Sequence, residues 1–389
     1  MPSTSAPQPG LVSPPLALLD GGAPSLAAIA SSFELPSPVA ALSPLGSGNV
    51  NDTYLLRCEA GEQFVLQRLN TGIFTRPDLV MANLAMLSDH AGQRDWPQAD
   101  QPRRWELPRL VPTRLSEAGS PSRPWLERHG ECWRLLTYVS DTICHERVSS
   151  PDLAAEVGRA LGGFHRLIHD LPCDRLHDTL EGFHVTPGYL DAYDALLAVR
   201  KLPLDPAERL CHEAIERRRS LAPVLEEALA SGRLRLRPIH GDPKVNNVLL
   251  DRRTGQAVTL VDLDTVKPGL LHYDIGDCLR SGCNPAGEDA TDLETVHLDL
   301  DLARPMLSGY LELARPILTD ADLDLVVDAV RLISFELGLR FFSDHLAGNR
   351  YFKCRHPRHN LERALVQFRL TDSIEAQLQD LHRLVDQLR

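Results

Sequence analysis

Three oxygen-bearing side chains stand close together in IHGDPKVNNVLLDRRTGQAVTLVDLD, residues 239–264: Asp242, Asn247 five residues later, and Asp262 at the end of an apolar run. Phosphoryl transfer from ATP needs an acceptor that takes or orients the proton of the attacking hydroxyl. It also needs oxygen ligands that hold Mg²⁺ on the β- and γ-phosphates. Asp242 suits the first task, and Asn247 with Asp262 suits the second. Lys244 stands two residues after Asp242, where it could neutralise charge as the bond to ADP breaks. Taken singly, each residue has a plainer explanation as a turn, a cap or a solvated strand-end acid, but the spaced set is harder to explain that way.

These residues need rigid elements around them. The pattern predicts a short β-hairpin between Asn247 and Asp262, inside an island of strands and loops from Ile239 to Val266. Behind the island, helical periodicity predicts helices near 151–170, 187–200, 206–231, 296–315, 320–346 and 360–388. Ahead of it the chain reads as strands: LSPLGSGNVNDTYLLRC is strand, glycine turn and strand, and Gln63 to Leu69 is another strand. A helix follows Pro77, and Glu131 to Val139 is a further strand. The expected division is a disordered tail over 1–22, a nucleotide-binding lobe over 23–140 and a helical catalytic and acceptor-binding lobe over 141–389. The hinge is expected near Tyr138 to Thr142.

The chain has 389 residues, 41 Lys plus Arg, 53 Asp plus Glu and a formal net charge of −12, so its bulk field repels polyanions. No nucleic acid or membrane partner is expected. Its eight cysteines include no C-x-x-C pair, which argues against a zinc ribbon or a small disulfide framework. The first residues lack a basic start and are broken by prolines, so a cytoplasmic location is expected.

H-G-D-x-x-x-x-N followed by a strand-ending Asp resembles the aminoglycoside phosphotransferase and choline kinase superfamily. Within it, the chain is most similar to the bacterial N-acetylhexosamine 1-kinases. NVNDTYLL (49–56), FVLQRLN (64–70), HGDPKVNN (240–247), VDLDTVKPG (261–269), YDIGDCLR (273–280), RFFSDHLAGNRYFK (340–353) and HNLERALVQFRL (359–370) carry that likeness. The resemblance implies an α+β, two-lobed protein-kinase-like fold, with a small antiparallel-sheet N-lobe and a mostly helical C-lobe. It implies ATP and Mg²⁺, a small-molecule sugar substrate, Asp242 as base, and Asn247 and Asp262 as metal ligands. Asp274 would brace the catalytic loop by accepting backbone hydrogen bonds. Arg340 and Tyr351 match positions lining the sugar site, with Asp242 also touching substrate. Arg340 lies four residues from both Glu336 and Asp344, however, and could be a surface ion-pair residue; Tyr351 could be a core aromatic. A monomer or weak homodimer is expected.

In the front lobe, Gly46, Ser47 and Gly48 precede a strand and could let the backbone approach phosphates, with Asn51 and Thr53 adding side-chain hydrogen bonds. Kinases also place a cation on the next strand, paired with an acid on the following helix. Gln67 and Arg68 stand there and face opposite ways, so only one can enter the cleft; Arg68 is the choice on charge. Asp78 or Asp89 could be its acid. Tyr138, in the linker, is a candidate adenine contact. The acidic residues Glu288, Asp289, Asp292, Glu294, Asp299 and Asp301 read as a solvated helix face, the alternative being a wall that binds a polycationic aminoglycoside or a choline-like ammonium. A kinase for another small acceptor and a non-catalytic nucleotide-binding regulator are the competing readings.

Overall fold

The computed structural model describes residues 25–46, 50–94, 96, 103–114 and 122–389. The expected tail over 1–22 lies outside them, as do Ser47 and Gly48.

The front of the chain folds as helix α1 (Leu26–Ala30), strands β1 (Val39–Pro44), β2 (Asp52–Cys58) and β3 (Gln63–Leu69), helix α2 (Pro77–Gly92), and strands β4 (Leu110–Val111), β5 (Leu126–Arg128) and β6 (Glu131–Thr137). The strands form one antiparallel sheet in the order β1-β2-β3-β6-β4, with β5 against β6. Period-two alternation gives this sheet two different faces. Leu66 opposes Leu135, and Arg68 opposes Trp133. On that side Leu66, Trp133 and Leu135 pack with Ile29, Ala30 and Phe33 into a small core of the sheet's own. On the other side Gln67 opposes Arg134 and Leu69 opposes Cys132; Leu69 and Cys132 join the main core with α2 and the helices behind.

The chain then crosses to β7 (Thr142–Ile143), and α3 (Pro151–Ile168), α4 (Thr186–Val199), α5 (Pro206–Glu216) and α6 (Val224–Ala230) follow. Helix α5 starts where Pro206 fills the first turn and Asp205 and Glu208 satisfy each other's backbone N–H groups. The island comprises β8 (Arg237–Ile239), the hairpin β9 (Val248–Asp251) and β10 (Ala257–Leu260), and β11 (Lys267–Gly269). Strand β7 extends the hairpin, and β11 pairs with β8. Helices α7 (Leu271–Gly282), α8 (Leu300–Ala314), α9 (Asp320–Asp324), α10 (Val326–Leu346), α11 (His359–Ala376) and α12 (Leu378–Leu388) complete the chain. The expected antiparallel sheet in front and helical mass behind are both present. Helix α7 was not expected, although Leu271, Ile275, Cys278 and Leu279 carry its apolar spacing. Among the described residues no helix is long and apolar enough to cross a membrane.

Helix α3 lies directly on α8, and glycines permit the approach. A Cβ on Gly158 would fall 1.9 Å from the Met306 carbonyl oxygen, and one on Gly309 would fall 2.2 Å from that of Ala155. Backbone cannot yield there as a flexible side chain could. We therefore expect Gly158→Ala to destabilise the protein by about 2–3 kcal/mol, the upper range for overpacking, as read by urea denaturation. A midpoint equal to that of the wild type would show that the two helices can separate without cost.

Candidate active site

The HGD turn hangs on a carboxylate from α7. Asp274, fully buried, accepts the His240 N–H at 2.6 Å and the Gly241 N–H at 2.8 Å. It also accepts from His165 Nε2 at 2.8 Å, while His165 Nδ1 meets the Tyr310 hydroxyl of α8 at 3.1 Å. Burial alone would raise the Asp274 pKa, but these donors outweigh it and hold the carboxyl below its ordinary value. Gly241 adopts φ +86°, and a Cβ there would fall 2.7 Å from the Thr265 carbonyl oxygen, so no other residue fits. His240 Nε2 faces the Val261 carbonyl at 3.1 Å and its Nδ1 accepts the Asp242 N–H at 3.2 Å. Those partners specify the neutral imidazole with the proton on Nε2, and burial lowers its pKa in the same direction.

Asp242 emerges half-buried from this turn. Its Oδ2 receives Lys244 Nζ at 2.6 Å and Asn247 Nδ2 at 3.4 Å, and no hydrogen bond among the described residues reaches Oδ1. Burial works against the Lys244 charge, but the carboxylates of Asp242, Asp262 and Asp277 outweigh it and hold the ammonium above its ordinary pKa. Asn247 Nδ2 also donates to the Asp242 carbonyl at 2.8 Å, which leaves its Oδ1 for a cation. The Val261 N–H donates to the Asn247 carbonyl at 2.8 Å and so sets Asp262 beside Asn247. Asp262 has φ 65° and ψ 58°, left-handed backbone rare outside glycine. Its carboxyl opens to solvent in the cleft, yet the cleft walls thin its hydration. That loss, with the Asp264 charge beside it, pushes its pKa up to about 6 against the pull of Lys244. Among the described residues no three His, Cys, Asp or Glu side chains surround a metal position. Two oxygen ligands fit a magnesium ion that takes its remaining ligands from phosphate and water.

Asp264 ties this segment to the front sheet. It is buried and forms an ion pair with Arg134 of β6, both side chains being 2 % exposed. Asn51 Nδ2 donates to it at 2.6 Å, and Asn51 Oδ1 accepts the Asn70 N–H at 3.0 Å. Gln67 Oε1 accepts from Arg134 at 2.7 and 2.9 Å, and Gln67 Nε2 donates to Thr53 Oγ1 at 3.1 Å. Arg68 is not the cleft cation: it lies on the sheet's other face, 42 % exposed, paired with Asp52 and Glu131. Asp78 pairs instead with Arg76. Arg134, not considered from the sequence, is the cation on the sheet's inner face, spent on Asp264 and Gln67, and an arginine inside the apolar run CWRLL was its signal. Asn51 and Thr53, expected to reach phosphates, both spend side-chain groups on this network. Gly46 has φ +70° with open space around it, and Tyr138 is half-buried in the linker after β6.

A cavity of about 440 Å³ opens from Asp242 and Lys244 toward Arg340 and Tyr351. Arg340 is no surface ion-pair residue. Its guanidinium stands 4.9 Å from the Phe183 ring centre, 5.0 Å from Tyr189, 5.5 Å from Phe352 and 5.9 Å from Tyr351. Glu336 lies 3.7 Å away, and no hydrogen bond among the described residues engages its N–H groups. Asp344 serves the backbone instead, accepting the N–H groups of Arg350, Tyr351 and Phe352 at 2.8, 2.8 and 3.0 Å. Tyr351, 50 % exposed, is no core aromatic. The acidic run is not a helix face. Glu288 and Asp289 turn to the cavity and meet Arg280, Arg363, Arg355 and His359, whereas Asp292 caps a local turn and Asp299 caps the start of α8. His184, unforeseen, joins cavity to loop: one ring nitrogen meets Glu336 Oε1 at 2.9 Å and the other the Gly241 carbonyl at 3.0 Å. Two acceptors require two ring protons. Burial would lower the His184 pKa, but Glu336 outweighs it and raises it.

A profile described as the phosphotransferase enzyme family matches residues 41–304. Among solved structures, the chain resembles an aminoglycoside phosphotransferase from Alicyclobacillus acidocaldarius, with a TM-score of 0.63 and 16 % identity over 94 % of this chain and 98 % of that one. A microcompartment-associated aminopropanol kinase gives 0.56 and 17 % over 91 % and 96 %. An amicoumacin kinase solved with AMP-PNP and Ca²⁺ gives 0.54 and 16 % over 90 % and 91 %. These likenesses establish the kinase-like fold.

Two outcomes follow for stability. Arg134→Ala leaves Asp264 buried without its cation and is expected to cost about 3–5 kcal/mol, while Arg68→Ala, in an exposed pair, should cost no more than about 1 kcal/mol. Denaturant titration of both variants checks the order, and equal losses would contradict the assignment of faces. For His184, the raised pKa means stability that is complete below its unfolded value and lost as pH rises through the folded one. Glu336, lowered in the fold, contributes fully above its unfolded value and loses that as pH falls. The wild-type excess over His184→Gln should therefore be greatest between about pH 4.5 and 6.5 and shrink above; an excess independent of pH would remove the imidazolium.

Proposed function

Since the chain belongs to the phosphotransferase enzyme family, we propose that it moves the γ-phosphoryl group of ATP to the anomeric hydroxyl of an N-acetylhexosamine. The product would be the hexosamine 1-phosphate. One observation carries the choice of acceptor: the aromatic cage in the cavity already holds a cation, Arg340. Aromatic cages bind quaternary ammonium by drawing the positive charge over the ring faces. With a guanidinium in that position, a choline-like or polycationic acceptor would meet like charge. The acids nearby, Asp277, Glu288 and Asp289, are matched by Arg280 and Arg363, so the wall offers little free negative field. A neutral sugar fits better, since its hydroxyls and acetamide oxygen could accept from Arg340 while apolar ring faces pack on Phe183 or Tyr351.

In this reading, the free Oδ1 of Asp242 accepts the proton of the anomeric hydroxyl, and the sugar oxygen attacks the γ-phosphorus in line with the departing ADP. Lys244 and Asn247, both on Oδ2, keep the carboxylate aimed. Asn247 Oδ1 and Asp262 would hold Mg²⁺, whose chemistry would be to neutralise phosphate charge during the transfer. The anomeric hydroxyl is more acidic than an ordinary alcohol, so a carboxylate of modest basicity suffices. Asp274 and His184 hold the loop from two sides, and catalysis is chiefly positioning and charge stabilisation.

ADP release with N-acetylglucosamine, N-acetylgalactosamine, glucose, galactose, kanamycin and choline tests the acceptor, with phosphorus NMR locating the ester at the anomeric carbon. We expect turnover with the acetylated hexosamines and a fall of about 10²–10⁴ in kcat for Asp242→Asn, the range for a lost general base. Preference for kanamycin or choline would overturn the acceptor and spare the transfer chemistry. Sugar-dependent turnover undiminished in Asp242→Asn would overturn the mechanism.

A further inference from the structure

A second cavity, of about 350 Å³, is lined by Arg166, His169, Arg235, Arg237, Pro316, Ile317, Leu318 and Thr319, and shares no residue with the one described above. Four of its side chains are basic, in a chain whose net charge is −12. Of the nearby acids, Asp170 pairs with His90 and Arg94 and lies 4.0 Å from His169 of the cavity, and Asp322 pairs with Arg237. Arg166 is half-buried and Arg235 exposed, and neither side chain has an ion pair or hydrogen bond among the described residues. Arg237 is 5 % exposed; its terminal nitrogens reach the Ile317 carbonyl and Asp322, but its Nε is buried with no partner. Beside it, two arginines without an ion pair among the described residues select for negative charge. His169 Nδ1 donates to the Arg166 carbonyl at 2.8 Å, so the neutral ring has no second N–H to offer and the arginines supply the donors.

We propose that this cavity is a binding site for a phosphate monoester. A tetrahedral dianion matches the fork geometry of two arginines and can accept from several donors at once. The volume exceeds what the inorganic ion alone needs and leaves room for a small organic group against Pro316, Ile317 and Leu318. The site lies behind the catalytic loop, since Arg166 adjoins the His165 that bonds Asp274, and Arg237 opens the strand that runs into His240.

Calorimetric titration of the full chain with inorganic phosphate, at ionic strength fixed with chloride, tests this independently of the acceptor reading. One saturable site per chain is expected, retained in Lys244→Ala and weakened at least about tenfold in the Arg166→Ala, Arg235→Ala double variant, as expected for lost charge-assisted hydrogen bonds. Kinase turnover of the double variant in phosphate-free buffer should match the wild type. Arg235→Glu, a change at an exposed and unbonded side chain, gives a second variant should the double one fold poorly, with the same loss expected. A hexose 6-phosphate and AMP are then compared with the inorganic ion; tighter binding of either supports a monoester site and says which organic group it favours. Absent binding, binding untouched by the arginine variants, or binding removed by Lys244→Ala would each overturn the site. Weaker binding of both esters than of phosphate would overturn the monoester.

Discussion

Two consecutive backbone N–H groups, those of His240 and Gly241, end on one buried carboxylate, and the rest of the candidate site inherits its posture from that contact. Without Asp274 both donors would be stranded where water does not reach, at a cost of about 1–3 kcal/mol each. With it, the turn is pinned, Gly241 can take its left-handed backbone, and Asp242 faces the cleft. The carboxylate is itself held by His165, which is held by Tyr310. The glycine seam between α3 and α8 therefore serves the chemistry, because it sets the distance across which Tyr310 and His165 meet.

A second constraint joins the two parts of the chain. Asp264, two residues after Asp262, receives Arg134 from the front sheet and Asn51 from the bend just before β2. Buried ion pairs of this type contribute little net stability relative to apolar packing, yet they penalise any arrangement that separates the partners. The sheet that would cover ATP is thereby held in fixed relation to the carboxylate that would hold its metal. Asp262 is caught between this anchor and the backbone bond from Val261 to Asn247, which accounts for its left-handed backbone.

What was legible in the sequence were features that depend on local order. The hairpin after Asn247, the sheet strands and most helices follow from periodicity and turn residues, and Asp274 as the brace followed from the family pattern. Features that depend on which face of an element is buried were not legible. Arg68 and Gln67 alternate in any strand, and only the packing of α1 on one side of the sheet decides that Arg68 looks outward. Arg134 escaped notice because its two acceptors, on β3 and beyond β10, are distant in sequence. His184 lies in a loop with no periodicity at all, and its role comes from Glu336 and Gly241, brought to it from far along the chain. Charge counting misread 288–301 for the same reason: Glu288 and Asp289 face arginines that the linear sequence leaves remote.

The cation inside the aromatic cage also bears on how such a scaffold diversifies. Phe183, Tyr189, Tyr351 and Phe352 surround Arg340 on rings contributed by separate stretches of chain, so the cage does not depend on the arginine to be built. Replacing one side chain on α10 would vacate a ready-made ammonium pocket a short way from an intact phosphoryl-transfer centre. A shift between neutral and cationic acceptors would then be a one-residue step in evolution, and the transfer chemistry would not need to be rebuilt along the way.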